Sequence, residues 1–251
     1  MSGGRPYGLN RQASERIEML VHIPAVLDQS QINDIRQRLD QSLFVDGKLS
    51  AGPVAAKVKH NEELPLGAEN GVLAGQIVTA TLNENWVFKN AIMAVRGTTP
   101  IFSRYTRGMA YGMHLDASLT SGLDAAQHPP VIPKRFRSDV SCTVFLSDPG
   151  EYRGGELELH TPVGVASVKY AAGDAVLYPS TYPHQVTTVT EGIRLVCIMW
   201  FECAVRDAEK RAMLYDLNVA SSGLYDRHPD DPATPKVNQV LQNLLRRWGD
   251  T

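Results

Sequence analysis

The chain has 251 residues, of which 43% are apolar, and a formal net charge of -2. This length and composition allow one large β-rich domain or two smaller domains with a sizeable core, and they exclude global disorder. The pI of about 6.4 argues against nucleic acid as the default partner, because phosphate binding needs a basic face.

The cysteines and the N-terminus bear on the cellular compartment. Cys142, Cys197 and Cys203 are odd in number and lack metal-type spacing, which favours a reducing cytoplasm over a disulfide scaffold or a zinc ribbon. The sequence contains no run of about 18 apolar residues, so it predicts no transmembrane helix. The polar N-terminus has no apolar stretch of the kind found in signal peptides. Residues 1–18 are interpreted as a flexible N-terminal extension.

Residues 19–90 predict a strand followed by two helices. Met19–Leu27 is typical of a short strand, and Asp28 with Gln31 forms a capping-box pattern. The first helix is marked by apolar residues at helical spacing: Ile32, Ile35, Leu39 and Leu43. Apolar residues at helical spacing in Gly71–Leu82 predict a second helix. We interpret this part as a support segment of helices and a strand.

Residues 91–203 predict a β-rich domain, because short β-branched or aromatic runs alternate there with turn residues. Evenly spaced short strands of this kind are typical of a sandwich or jelly roll. The polar, Pro-containing stretch Thr120–Arg137 predicts a loop that is long enough to act as a lid. The runs that predict strands are Ser141–Leu146, Glu156–His160, Ala175–Tyr178, Gln185–Val189 and Arg194–Phe201.

Residues 204–251 predict a helical C-terminal segment. Asp207–Leu217 is a helix candidate, and Ser221–Thr234, rich in Asp and Pro, is interpreted as a loop. The terminal helix is amphipathic, with one face formed by Val237, Val240, Leu241, Leu244, Leu245 and Trp248. We prefer packing of this face on the barrel, with a subunit interface as the alternative. The predicted fold class is mainly β, a jelly-roll core with helical N- and C-terminal segments.

His114-Leu115-Asp116 is the central chemical motif. On a strand, residues i and i+2 point to the same face, so His114 and Asp116 can aim at one point. An imidazole and a carboxylate suit Fe(II), and one further donor would complete a facial triad with open coordination positions. Taken alone, the H-x-D motif is weak, because it occurs by chance in many chains.

His184 and Arg194 strengthen this interpretation. His184 stands at the start of a predicted strand and completes the triad, and Arg194 follows ten residues later. The planar guanidinium of an arginine suits the distal carboxylate of a co-substrate. His160 is a rival third ligand, but Tyr170, not an arginine, stands ten residues after it.

The residues around the H-x-D motif have two interpretations. Arg104 and Arg107 flank Tyr105, and Tyr111 precedes the motif. They form either a pocket wall that recognises a polar or acidic substrate or a solvated strand face.

Three segments together resemble a known family. Phe102–Asp116, Val144–Gly155 and Gly173–His184 are similar to the bacterial PKHD-type hydroxylases, which are Fe(II)/2-oxoglutarate-dependent dioxygenases of the double-stranded β-helix fold. Asp207–Leu217 also resembles the C-terminal segment of that family. The resemblance extends from about Met19 to the end of the chain.

The resemblance implies a role for each site residue. His114, Asp116 and His184 would hold Fe(II), and Arg194 would pair with the C5 carboxylate of 2-oxoglutarate. Tyr105 stands where relatives often place a hydroxyl near the co-substrate. Related prolyl hydroxylases often carry a second tyrosine on the strand after the H-x-D motif; this chain departs from that pattern, and Thr143 would supply a hydroxyl instead.

The implied reaction is hydroxylation of an unidentified substrate by O2, with release of succinate and CO2 and with L-ascorbate as a supporting reductant. A small molecule or a peptidyl group would be the substrate. The alternatives are a cupin-like metalloenzyme without 2-oxoglutarate, which has no need of Arg194, and a non-catalytic iron or siderophore sensor. A further alternative is a carbohydrate-binding jelly roll without metal. In that case the convergence of His114, Asp116 and His184 would be accidental.

Overall fold

The structure is a computed structural model that describes residues 16–17, 20–121 and 135–250. The predicted extension at residues 1–18, apart from Arg16–Ile17, lies outside the described residues. Most of the loop predicted at Thr120–Arg137 also lies outside them, so its role as a lid stays a prediction.

The helices lie in the two regions where the sequence predicts them. The first begins after Asp28, which caps it in the predicted capping box: Gln31 donates its backbone N–H to the Asp28 side chain, and the Gln31 side chain accepts from the Asp28 N–H. The α-helices are α1 Gln29–Asp40, α2 Glu69–Glu84, α3 Trp86–Ile92, α4 Ala208–Arg227 and α5 Ala233–Trp248. Single 3-10 turns occur at Gly47–Ser50, Ala55–Lys57 and Pro149–Glu151.

The strands form two larger antiparallel sheets, the major and the minor sheet, and two short ribbons. The strands are β1 Arg16–Ile17, β2 Leu20–Ile23, β3 Val45–Asp46, β4 Lys59–His60, β5 Glu62–Glu63, β6 Ala94–Gly97, β7 Ile101–Tyr105, β8 Ala110–His114, β9 Leu119–Ser121, β10 Arg135–Arg137, β11 Val140–Phe145, β12 Tyr152–Arg153, β13 Leu157–Thr161, β14 Gly164–Val168, β15 Ala175–Pro179, β16 His184–Val186, β17 Glu191–Gly192 and β18 Arg194–Cys203. The major sheet has the order β1-β2-β15-β11-β18-β7-β5-β3, with β6 paired to β18, and the minor sheet has the order β14-β13-β16-β8-β4. The ribbons pair β9 with β10 and β12 with β17.

The central strands of the major sheet, β11, β15 and β18, are buried on both faces, and strand alternation divides their residues between two cores. On β18, Cys197 and Met199 belong to the cluster formed with α1, α2 and α3, whereas Val196 belongs to the cluster between the two sheets. By the same period of two, Arg194 and Ile198 face the space between the sheets. This space between two facing sheets is the interior of the predicted jelly roll.

The C-terminal helices differ in length from the prediction. The loop predicted at Ser221–Thr234 is wrong for most of its length, because α4 continues to Arg227 and α5 begins at Ala233. Ser221 and Gly223 are buried in α4, so tertiary packing overrides their weak helix propensity. The apolar face of α5 packs around Leu214 of α4 and Val205. None of the described helices combines the length and the apolar character needed to cross a membrane.

Candidate metal centre

The predicted triad comes together where two inner strands of the minor sheet, β8 and β16, meet at their ends. His114 ends β8 and lies opposite His184, the first residue of β16, and the two ring centroids are 4.2 Å apart. Asp116 lies just beyond the end of β8, and one ligand atom from each of the three residues lies within 4.8 Å of the others. Two imidazoles and one carboxylate converging on one point fit Fe(II) with open coordination positions.

Hydrogen bonds to the far side of each residue set the orientation of the donors. His114 Nδ1 lies 2.8 Å from the Gly112 carbonyl oxygen, and His184 Nδ1 lies 2.9 Å from that of Tyr182. Because a carbonyl oxygen only accepts, each Nδ1 carries the proton and each Nε2 keeps its lone pair for a metal.

Asp116 is oriented by a hydroxyl group. Ser141 Oγ donates to Asp116 Oδ2 at 2.6 Å, while Asp116 Oδ1 lies 3.7 Å from His184 Nε2. Ser180 lies within 2.8 Å of the same Ser141 hydroxyl. Supporting hydrogen bonds of this kind commonly fix metal ligands in position.

A bulge in β8 places Tyr111 beside the triad. The pairing runs from His184 opposite His114 to Val186 opposite Tyr111, so β8 has one extra residue and both Tyr111 and His114 face inward. Their rings stack at 3.6 Å with an interplanar angle of 11°. Burial, together with the nearby His184, lowers the pKa of His114 to about 4, which keeps its imidazole neutral at neutral pH.

Arg194 forms the other end of the site. It begins β18 opposite Tyr105 of β7, it is 1% exposed, and its guanidinium carbon lies 5.0 Å from the Tyr105 ring centroid. Among the described residues, Arg194 Nε and Nη1 have no hydrogen-bond partner of normal geometry, and neither have the buried hydroxyls of Tyr105 and Tyr152. A buried guanidinium without a counterion is costly, and a carboxylate would supply the missing acceptors.

One cavity of about 900 Å³ joins the two ends. It is lined by all six residues singled out from the sequence: Tyr105, His114, Asp116, Thr143, His184 and Arg194. Thr143 is 3% exposed on β11, and its hydroxyl interacts with that of Tyr178, whose pKa burial raises far above its usual range. Tyr178 also meets His184 edge-on at 5.3 Å.

The alternative residues lie elsewhere. His160 is exposed on β13, outside the cluster of His114, Asp116 and His184. Arg104 pairs with Glu62 at 2.7 Å and does not line the described cavity wall, whereas Tyr111 does. The pocket-wall interpretation concerns Arg104, Arg107 and Tyr111, and it fits Tyr111 alone.

Sequence reasoning missed several residues that complete the site. Ser141 and Tyr178 lie within predicted strands. Only the face of the strand on which each residue lies could have distinguished them from ordinary core residues. Lys59 and Glu63 line the cavity from the segment interpreted as support. No sequence pattern marked them, because residues 59–63 are all polar; the alternation of buried Lys59, exposed His60 and buried Asn61 is visible only in the structure.

Comparison with known proteins gives a consistent result. The model of the 2OG-Fe(II) oxygenase superfamily matches residues 100–202, and that of the PKHD-type hydroxylase C-terminal domain matches residues 208–250. A PKHD-type hydroxylase of Delftia acidovorans is 40% identical over 92% of this chain and 99% of its own length. One of Cupriavidus metallidurans is 38% identical over 93% of this chain and 100% of its own length.

The fold also matches solved structures. A prolyl hydroxylase from Trichoplax adhaerens, in complex with a peptide fragment of the hypoxia inducible factor oxygen degradation domain, superimposes with a TM-score of 0.56 at 18% identity. The match covers 78% of this chain and 87% of that one. This likeness confirms the predicted jelly-roll fold, and the family models and the curated relatives confirm the expected family. The chain belongs to the PKHD-type hydroxylases, and it is an Fe(II)- and 2-oxoglutarate-dependent dioxygenase.

Proposed function

We propose that this hydroxylase binds Fe(II) through His114, Asp116 and His184 and binds 2-oxoglutarate through Arg194, with Tyr105 and Thr143 as further contacts. One observation carries the proposal. The convergent triad and the buried Arg194 guanidinium, whose Nε and Nη1 have no hydrogen-bond partner of normal geometry among the described residues, line the same cavity.

The protein residues divide the work of binding and orientation. His114 and His184 present Nε2, because their Nδ1 protons are held by backbone carbonyls, and Asp116 presents the oxygen that Ser141 leaves open. Arg194 neutralises the distal carboxylate and thereby orients the 2-oxo end of the co-substrate toward the triad. When bound, Fe(II) and 2-oxoglutarate supply the oxidising chemistry by which O2 hydroxylates a C–H bond and leaves succinate and CO2.

The described cavity wall favours a substrate that is larger than the co-substrate and partly apolar. A cavity of about 900 Å³ leaves space beyond one five-carbon diacid. Exposed apolar side chains that also line the cavity form its rim: Leu49, Val54, Val58, Leu66, Met113 and Leu115. Such exposed apolar groupings usually mark a binding surface. Both a small molecule and a peptidyl group meet this description.

Further proposals concern the surroundings of the reaction. We infer that L-ascorbate sustains turnover by reducing oxidised iron, as the family resemblance implies. Three free, buried thiols among the described residues, Cys142, Cys197 and Cys203, favour a reducing cytoplasm. The net charge of -2 favours a reaction that involves no nucleic acid.

The division of labour along the chain is also a proposal. Residues 91–203 are the catalytic domain, residues 19–90 support it and extend over the cavity, and residues 204–251 form a helical segment. The packing of α5 on α4 leaves Val240 51% exposed, and self-association would use this outer face. Light scattering of the purified protein tests for a dimer.

An anaerobic titration tests the site. Fe(II)-loaded protein is titrated with 2-oxoglutarate while the weak visible charge-transfer band of the Fe(II)–2-oxoglutarate complex is followed. We expect a saturable band in the wild type, no band in His184→Ala, and a band that needs far more 2-oxoglutarate in Arg194→Ala. A folded, iron-loaded wild type that gives no band would contradict the proposed co-substrate site.

A further inference from the structure

A short strand outside the predicted site faces the same interior. Residues 59–63 form a continuous extended segment that changes sheets: β4 pairs with β8 of the minor sheet, and β5 pairs with β7 of the major sheet. Lys59, Asn61 and Glu63 are buried, whereas His60 is exposed and Glu62 is half-buried. By strand alternation, three consecutive inward positions are therefore polar.

The outer two of these side chains are satisfied by partners. Lys59 Nζ lies 2.5 Å from Glu63 Oε1 and 2.8 Å from Ser50 Oγ. Glu63 also accepts from Ser50 at 2.5 Å and from Ser103 at 3.1 Å. This buried ion pair brackets Asn61 and holds the segment across the two sheets.

Asn61 is different, because its amide is buried and unpaired. The residue is 2% exposed, and neither Oδ1 nor Nδ2 makes a hydrogen bond of normal geometry with another described residue. The side chain is tightly confined, since a Cβ atom at Gly47 would lie 2.0 Å from Asn61 Oδ1. Burying an unpaired amide destabilises a fold by about 1–3 kcal/mol, which is expected at a binding site and unusual in a plain core.

The neighbour of this amide is a residue of the proposed co-substrate site. The antiparallel register of β5 against β7, with Glu62 opposite Arg104 and Glu63 opposite Ser103, continues to Asn61 beside Tyr105. Burial raises the pKa of Tyr105 to about 12, and the neighbouring Asn61 side chain acts against this rise. The phenol therefore remains protonated at neutral pH. Its hydroxyl is unpaired among the described residues, and Tyr105 lies opposite Arg194 across two paired strands.

We propose that Asn61 is a positioning residue for the co-substrate: when 2-oxoglutarate is bound, the Asn61 amide N–H donates to the Tyr105 hydroxyl oxygen, so that the Tyr105 proton points at the distal carboxylate. The inference rests on the proposed function. It assigns a role to a residue of the support segment, outside residues 100–202 matched by the oxygenase model.

Two 2-oxoacids separate this role from a merely structural one. 2-Oxoglutarate carries the distal carboxylate, whereas 2-oxopentanoate has the same chain length and lacks it. Affinities for both are measured anaerobically by the charge-transfer band of the Fe(II)-loaded protein, and independently by calorimetry on protein loaded with Mn(II). We expect Asn61→Leu, close in size, to weaken 2-oxoglutarate binding about tenfold and to leave 2-oxopentanoate binding unchanged.

Two further measurements use the same variants. Tyr105→Phe should give a similar loss, and the double variant should be no weaker than the weaker single variant, because both remove one chain of hydrogen bonds. The melting temperature of metal-free Asn61→Leu should stay close to that of the wild type, because the removal of unpaired polar atoms offsets the tighter packing of two methyl groups. Asn61→Ala serves for the binding measurement if the leucine variant does not fold.

The outcomes are distinguishable. Unchanged 2-oxoglutarate affinity, equal weakening for both 2-oxoacids, or additive losses in the double variant would each overturn the role of Asn61. A wild type that binds Fe(II) but shows no complex with 2-oxoglutarate would overturn the proposed function itself.

Discussion

The two ends of the cavity are built in opposite ways. At the metal end, the far side of each ligand is satisfied: both histidines donate to carbonyls and Asp116 accepts from Ser141. At the other end, Arg194 and Tyr105 keep polar atoms that have no partner among the described residues. Under the proposed function, this contrast means that the metal ligands are oriented before binding, whereas the anion end is completed by its ligand.

The sharpest test of the metal end removes one ligand. His114→Ala should weaken Fe(II) binding by about a thousandfold, because the remaining two donors no longer form a facial set. His160→Ala is the matched control, since this histidine is exposed on the neighbouring β13. Fe(II) affinity is measured by anaerobic competition with a chelator. Equal affinities for the two variants would contradict the assigned triad.

The anion end is tested by a pair of buried arginines. Arg194 Nε and Nη1 have no hydrogen-bond partner of normal geometry among the described residues, whereas Arg211 donates to the Val205 and Arg206 carbonyls at 2.8 Å. Arg194→Met should raise the dissociation constant for 2-oxoglutarate about a hundredfold, without lowering the stability of the metal-free protein.

Arg211→Met should do the reverse. We expect a loss of about 2 kcal/mol of unfolding free energy, from removal of two charge-assisted hydrogen bonds, and unchanged 2-oxoglutarate affinity. Chemical denaturation and calorimetry measure the two quantities. A large loss of stability in metal-free Arg194→Met would show that its guanidinium is already paired.

The lowered pKa of His114 predicts that the stability of the metal-free protein depends on pH. His114 has a folded pKa of about 4, against about 6.5 unfolded. At pH 7.5 both states are neutral, and as the pH falls below 6.5 the unfolded state binds the proton first. The free energy of unfolding of the metal-free protein should therefore drop by about 2 kcal/mol between pH 7.5 and 5.

The control for this effect is His114→Gln. The free energy of unfolding of this variant should fall by a smaller amount between pH 7.5 and 5. The difference between the two decreases is the contribution of His114. Urea denaturation at a series of pH values gives both curves, and parallel curves for the two proteins would contradict the lowered pKa.

The smallest expected effect concerns the residue that orients Asp116. Ser141→Ala should weaken Fe(II) binding about tenfold, because supporting hydrogen bonds of this type are worth about 10–100-fold in metal affinity. Ser138→Ala is the control: Ser138 donates to Ser180 at 3.1 Å and makes no contact with Asp116 among the described hydrogen bonds. Equal Fe(II) affinities for the two variants would mean that Ser141 does not orient Asp116.

Much of the fold could be predicted because its signals are local. The capping box at Asp28 and Gln31 marks the start of α1 within one residue, and the predicted strand Ser141–Leu146 corresponds to Val140–Phe145. Ser221–Thr234 was wrongly predicted as a loop, because Asp and Pro are weighed by local propensity, whereas burial against neighbouring elements extended α4.

The spacing of His114 and Asp116, the alternation of the strands and, through resemblance, the family could all be read from the amino-acid sequence. Which distant side chains meet depends on the tertiary fold. Ser141 reaches Asp116 across 25 positions, and Asn61 lies beside Tyr105 because β5 pairs with β7 while β4 joins the other sheet. Such contacts depend on strand register and on the switch of the chain between the two sheets. Both are set by pairing between distant segments, and no local sequence pattern encodes them.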